Sequence, residues 1–206
     1  MIGVAQVDGL PGEELDVAKT PGHWLLARLG KRVLRPGGLG TTQALLAELG
    51  IGPGDSVVEF APGLGVTARM ILKRKPRSYV GIERDSKAAQ WTARQLPEQS
   101  NVSVAVGAAD RTALAADSAS IVLGEAMLSM QTQAHKAENV AEAFRLLRPG
   151  GHYGIHELAI IPDEMRREQK HEIDRALSTA IHIARVLCRR RNGRLFWKMP
   201  AFECVE

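Results

Sequence analysis

Ser56-Val57-Val58-Glu59-Phe60-Ala61-Pro62-Gly63-Leu64-Gly65 is the stretch on which the reading of this chain turns. Its first five residues form a short apolar run, the pattern of a strand buried on both faces. Turn-forming residues follow at once, and then a helical run from Thr67 to Lys75 that is closed by Pro76. Glycines placed directly after a first strand let the backbone come close to a ligand lying across the strand's carboxyl end. The plain alternative is a strand-to-helix turn with no ligand.

Outward from this unit, strands and helices alternate. Ser78 to Ile82, Val102 to Val106, Ser120 to Leu123 and Tyr153 to Ile161 read as further strands. Asp85 to Leu96 and Thr132 to Leu147 read as helices, the second with Val140, Ala143, Phe144 and Leu147 on one face. Arg148-Pro149-Gly150-Gly151 reads as a turn, and Pro162 is placed to open a long helix through Asp174 and Leu177. Upstream, residues 1–21 are rich in breaks. His23 to Leu34 forms a short amphipathic helix broken by Arg35-Pro36-Gly37-Gly38, and Thr41 to Leu49 forms a helix with a threonine cap and Gly50 as its stop. Such alternation predicts an α/β chain: a doubly wound, mostly parallel sheet with helices on both faces.

Acidic residues narrow the ligand. Glu59 precedes the glycines, where a pyrophosphate would be repelled and a cationic ligand with an amino group and a sulfonium favoured. Glu83, followed by Arg84, ends the second strand, where an acid can accept from both hydroxyls of a ribose. The fourth strand ends in Gly124-Glu125.

Together these features resemble the class I S-adenosylmethionine-dependent methyltransferases over roughly residues 41–160. Glu59 through Gly65 matches the family's acid-x-Gly-x-Gly-x-Gly loop, with Ala61 in place of the first glycine. The resemblance implies a Rossmann-like fold with S-adenosylmethionine as cofactor. It implies that Glu59, Ala61, Pro62, Gly63, Gly65, Glu83, Arg84 and Glu125 bind it. It puts Ala109 and Asp110 of Gly107-Ala108-Ala109-Asp110 beside the adenine, with Ala108 where the family often has an aspartate. Gly124 to Gln131 and Gly154 to Leu158 look like the ubiquinone/menaquinone-methyltransferase-like branch that acts on small molecules.

Methyl transfer from a sulfonium is an in-line displacement from an activated donor, so a base is needed only if the acceptor must lose a proton. Candidates for that role are Glu125, His156 and Glu157, at the ends of the fourth and fifth strands. Met127, Leu128 and Met130 could line an apolar acceptor pocket or simply pack in the core. A nicotinamide-dependent oxidoreductase is disfavoured by Glu59 and by Pro62 in the loop. A non-catalytic binding protein stays open.

The bulk properties agree. With 206 residues, 45% of them hydrophobic, the chain can build one core with a small appendage. It shows no signal-peptide pattern and no membrane-spanning run, so a cytoplasmic protein is expected. Its two cysteines have no metal-ligand spacing, and no metal is expected. The net charge of +4 lies entirely beyond residue 180, in Arg185, Arg189, Arg190, Arg191, Arg194 and Lys198 against Glu203 and Glu206. The balanced body gives no electrostatic sign of nucleic-acid binding.

Three regions follow: residues 1–40 as an N-terminal segment and candidate lid, 41–180 as the cofactor-binding domain, and 181–206 as an atypical basic tail. The family's sixth and seventh strands are not recognisable in that tail. Permissible codons for Ala184 to Cys204, read two bases later, can encode a run with Glu-Trp and Ala-Gly-Phe like the one preceding the family's sixth strand. The tail is therefore read either as a frame shift, which sequencing the coding DNA decides, or as a basic segment for an acidic partner. Missing closing strands would leave an open edge and favour a homodimer through that edge or the tail.

Overall fold

The computed structural model describes residues 9–13, 15–160, 166–181, 188–191 and 194–195. Its centre is a five-stranded, wholly parallel sheet. The strands are β1 (Ser56–Phe60), β2 (Ser78–Glu83), β3 (Val102–Val106), β4 (Ala119–Glu125) and β5 (Leu147–His156), in the order β3-β2-β1-β4-β5. The helices are α1 (Gly22–Arg28), α2 (Gly38–Glu48), α3 (Val66–Leu72), α4 (Ser86–Gln95), α5 (Gln133–Leu146) and α6 (Arg167–Ile181).

The two-residue period of each strand sorts the core into two layers. Val57, Tyr79, Ile121 and Leu123 pack with Leu46 of α2 and with Ala68 and Ile71 of α3. Val58, Phe60, Ile82 and Val122 pack on the opposite face with Ala143 and Leu146 of α5. This is the doubly wound, Rossmann-like arrangement read from the alternation. It brings every parallel strand's carboxyl end to one rim, where ligands of such sheets bind.

A third cluster joins the N-terminal segment to that rim. Trp24 and Ala27 of α1 pack with Leu64 of the glycine loop and Ala88 of α4, beside Leu10, Leu34 and Trp91. The helix expected from His23 to Leu34 stops at Arg28. Gly30 takes a left-handed φ of 86°, and the amides of Gly30 and Lys31 close on the carbonyls of Ala27 and Leu26, a glycine cap that turns the chain away before Leu34.

Three further expectations change in detail. Helix α2 starts at Gly38 rather than at a Thr41 cap, because Gly37 provides a left-handed N-cap with φ 70°. Arg148-Pro149-Gly150-Gly151 does not precede the fifth strand but is looped out within it. The ladder pairs Ala119 with Leu147, then Ile121 with His152, and Gly150 sits at φ 79°. The strand expected to run to Ile161 ends at His156, and a two-residue strand, β6 (Ala159–Ile160), follows; Ile161 and the helix-opening Pro162 lie outside the described residues.

In the tail, β7 (Cys188–Arg191) pairs parallel with β6, and β8 (Arg194–Leu195) pairs antiparallel with β7. These make a separate small sheet, so the main sheet ends at β5 among the described residues. The rest of the tail lies outside them. No described helix is long and apolar enough to cross a membrane.

Candidate active site

The glycine loop takes its shape from backbone that ordinary residues avoid. Gly63 and Gly65 have φ of 56° and 69°, and Gly65 is the N-cap from which α3 starts. A Cβ on Gly65 would lie 3.0 Å from Thr92 Cγ2, so the loop fits closely against α4. Ala61 also adopts a left-handed φ, 53°, the conformation the absent glycine would have taken freely. Holding an L-residue there costs about 1–2 kcal/mol, roughly balanced by glycine's larger entropy loss of about 0.5–1 kcal/mol. Ala61→Gly is therefore expected to change stability by less than about 1 kcal/mol. Ala61→Val, with a branched Cβ at positive φ, should cost clearly more, and thermal melts of the two variants check this ordering.

Above the loop lies a cavity of about 510 Å³, within the roughly 300–1,000 Å³ of small-molecule sites. Its floor and walls come from the carboxyl ends of four strands: Ala61, Pro62 and Gly63 after β1, Glu83, Arg84 and Asp85 after β2, Gly107 to Asp110 after β3, and Glu125 to Met127 after β4. Met130, Gln131, His135 and Asn139 close one side. Pro21, His23, Trp24, Arg32, Leu34 and Arg35 close the other, so the N-terminal segment forms a wall of the cavity. Leu128 packs in the core instead of lining it, whereas Met127 and Met130 do line it.

Glu83 stands at the edge of this cavity, its carboxylate held by the amides of Gly63 (3.1 Å) and Asp85 (3.1 Å). Burial raises its pKa, and those amides partly offset the effect. Glu59 does not line the cavity. It points under the loop into the α2/α3 layer, 3% exposed, and accepts from Tyr79 Oη at 2.7 Å. Burial pushes its pKa up to about 8 against the Tyr79 hydrogen bond, with Glu125 adding to the rise. The attraction of a carboxylate for a cation, invoked from the sequence, is thus muted at neutral pH, where Glu59 is largely protonated.

A folded pKa above the unfolded 4.5 means the native state holds the extra proton. The protein is therefore free of this ionisation cost below about pH 4.5 and carries it increasingly as pH rises through about 8. Glu59→Gln, which keeps an acceptor for Tyr79, should gain in melting temperature relative to the parent as pH goes from 5 to 9. A constant difference across that range would refute the assignment.

Glu125 is the centre of a buried polar cluster. Its Oε1 accepts from Thr42 Oγ1 (2.7 Å), lies 2.8 Å from His156 Nδ1, and is 3.2 Å from Arg35 Nε. Its Oε2 accepts from Thr67 Oγ1 at 2.5 Å. Arg35 Nε also donates to Thr42 Oγ1 at 2.6 Å. Burial pushes the Glu125 carboxyl up, but the bonds from His156, Thr67 and Thr42, with the Arg35 charge, outweigh it and hold the group below the usual carboxylate range. Glu125 is thus ionised and has its oxygens engaged by four groups.

The three residues expected to do proton chemistry therefore separate. Glu125 lines the cavity. His156 is paired with Glu125 across the β4–β5 ladder and is buried behind it. Glu157 points elsewhere and accepts from the amides of Leu128 and Ser129, fixing the 3-10 turn Leu128–Met130 after β4. Arg35, Thr42 and Thr67 were not singled out in the sequence. They come from three separate segments, and only the fold brings them to one carboxylate. At the far rim, Asp110, His135 and Glu138 each bring a ligand atom within 4.8 Å of the others, although His135 and Glu138 are exposed.

Residues 57–151 match the family model described as a methyltransferase domain. An uncharacterized protein of Haemophilus influenzae is 34% identical over 146 residues; the alignment covers 69% of this chain and 58% of that relative's length. Among solved structures, the YcgJ protein of Bacillus subtilis superposes with a TM-score of 0.61 at 14% identity, over 73% of this chain and 62% of that one. The phosphoethanolamine N-methyltransferase 2 of Haemonchus contortus, solved with S-adenosyl-L-methionine, gives 0.58 at 17%, over 71% and 34%. Residues 57–151 thus match a methyltransferase-domain model, and the strand order and the cavity at the sheet's carboxyl rim are those of a Rossmann-like fold.

Proposed function

We propose that this protein transfers a methyl group from S-adenosylmethionine to a small-molecule acceptor. The observation that carries the reading is the convergence of Ala61 to Gly63, Glu83, Gly107 to Asp110 and Glu125 on one cavity. The residues present suit this cofactor. An open glycine turn admits its sulfonium-bearing amino-acid portion, a carboxylate at the end of β2 can take two ribose hydroxyls, and the backbone after β3 can flank an adenine. Bound there, S-adenosylmethionine supplies a methyl group on a sulfonium, already activated for displacement.

The chain's own work is then positioning and exclusion of water. Ala61, Pro62 and Gly63 carry the donor, Glu83 and Arg84 hold its ribose side, and Ala109 and Asp110 flank its base. Glu59 and Gly65 shape the loop from beneath and behind. Glu125, saturated by its donors, orients the cavity wall and is a poor proton acceptor. His156 and Glu157 support that wall from outside the cavity. Met127 and Met130 give the acceptor a flexible apolar surface, in keeping with the ubiquinone-methyltransferase-like branch.

Titration calorimetry with S-adenosylmethionine, S-adenosylhomocysteine and NAD tests the first step, and methyl transfer across an acceptor panel tests the second. Binding of both sulfur ligands without NAD is expected. Binding of NAD alone would overturn the proposal, and cofactor binding without turnover on any acceptor would favour a binding protein.

A further inference from the structure

One imidazole and two carboxylates meet at the far rim of the cavity. Asp110 comes from the loop after β3, and His135 and Glu138 come from the start of α5. Three residues apart on a helix, His135 and Glu138 share a face. Nε2 of the first lies 4.0 Å from Oε2 of the second, and Asp110 adds a ligand atom within 4.8 Å of both. Ligands bound to zinc at about 2.0–2.1 Å stand roughly 3.4 Å apart around a tetrahedron. His135 and Glu138 are exposed, so small rotations of their side chains close the set. The two cysteines do not supply such a site. Residues distant in the sequence do, and only the fold joins them.

A second observation comes from the same wall. Asn139 follows Glu138 in the chain and lines the cavity together with Asp110 and His135. It is 2% exposed, and its Nδ2 donates to the His135 carbonyl at 2.6 Å. Its Oδ1 is buried with no hydrogen-bond partner among the described residues. A buried acceptor left unmatched is costly. A water carried by a metal ion at this rim is a donor of the kind it lacks.

Charge and donor type choose the ion. Two carboxylates match a doubly charged cation. An all-oxygen site would suit magnesium or calcium, whereas an imidazole among the ligands shifts the preference to zinc and its first-row neighbours. The positive end of the α5 dipole opposes any cation, so the site depends on both carboxylates.

We propose that Asp110, His135 and Glu138 bind one divalent cation of the zinc class at the mouth of the cavity, with its remaining coordination positions open to water. The proposal goes beyond the methyl-transfer reading and does not depend on it.

Titration calorimetry of the metal-free full chain with zinc chloride and with magnesium chloride tests it, with no cofactor present. One zinc per chain is expected, bound at least 100-fold more tightly than magnesium. His135→Ala and Glu138→Gln should each lower zinc affinity at least tenfold. Thermal melts without metal check that these variants are as stable as the parent, and Asp110→Asn is read in place of one that is not. His171→Asn is the control, because His171 and Glu168 repeat the spacing on α6 outside the three-ligand group. It should bind zinc as the parent does.

Zinc affinity unchanged by the rim variants overturns the proposal. So does a loss as large in His171→Asn, or magnesium bound as tightly as zinc. Because no methyl donor enters the titration, each of these results leaves the methyltransferase reading standing.

Discussion

Replacing Glu83 by glutamine is expected to weaken S-adenosylhomocysteine binding by about 100-fold. Hydrogen bonds to a charged group contribute about 1.5–3 kcal/mol each. Two from a ribose therefore sum to about 3 kcal/mol or more, which is about two decades in affinity. The amide also disturbs the loop. One carboxylate oxygen now receives the Gly63 amide and the other the Asp85 amide. A glutamine must aim its NH₂ at one of them, donor against donor, on the turn that forms the cavity floor. Direct binding together with a thermal melt distinguishes loss of the ligand contact from loss of the fold. A folded variant with less than a threefold change in affinity would remove Glu83 from the ligand-binding set.

The second large effect is expected at Glu125. Glu125→Ala leaves Arg35 and His156 without their carboxylate and the Thr67 hydroxyl without the acceptor it has here, while Thr42 keeps only the Gly38 carbonyl at 3.3 Å. Removing one partner of a buried ion pair costs about 3–5 kcal/mol. In a chain of this size that lowers the melting temperature on the order of 10 °C. The informative comparison is the pair of charges. If the cost comes from an uncompensated Arg35, then Arg35→Met combined with Glu125→Gln should be more stable than the two single changes predict by addition. Strict additivity would instead show that the two groups contribute independently, and the cluster would lose its standing as one unit.

Much of the frame was legible in the sequence because its signals are local. Val57-Val58, Tyr79-Val80 and Ile121-Val122 mark buried strands by composition alone. Gly63 and Gly65 mark the first turn, and Thr132, read as the first residue of a helix, is the N-cap of α5. The fifth strand was misjudged for an equally local reason. Arg148-Pro149-Gly150-Gly151 has the chemistry of a turn, yet only the ladder with β4 shows that the strand resumes around it as a bulge. Within the site, acids at strand ends could be anticipated, but not what each would face. Glu59 and Glu125 both end strands in the text. One is buried under the loop with Tyr79, the other meets the cavity with Arg35. Threonines read as helix starters at positions 41 and 67 lie in helices that glycines start, and the hydroxyls of Thr42 and Thr67 serve Glu125 instead. Contacts spanning 58 and 83 residues of chain leave no periodic trace.

The cluster at Glu125 also bears on how the chain can be cut. A boundary drawn at residue 41 looks natural on paper, since Pro36-Gly37-Gly38 is a break and the strand–helix alternation starts soon after. Excision there would carry off Arg35, and with it the counter-ion of a buried carboxylate, together with Trp24, Leu34 and the wall they build over the glycine loop. What remained would hold the whole matched stretch, residues 57–151, and still lack one wall of its cavity. The walls of the cavity and the matched domain are not the same object here: the cavity takes part of its lining from residues as far back as the first helix.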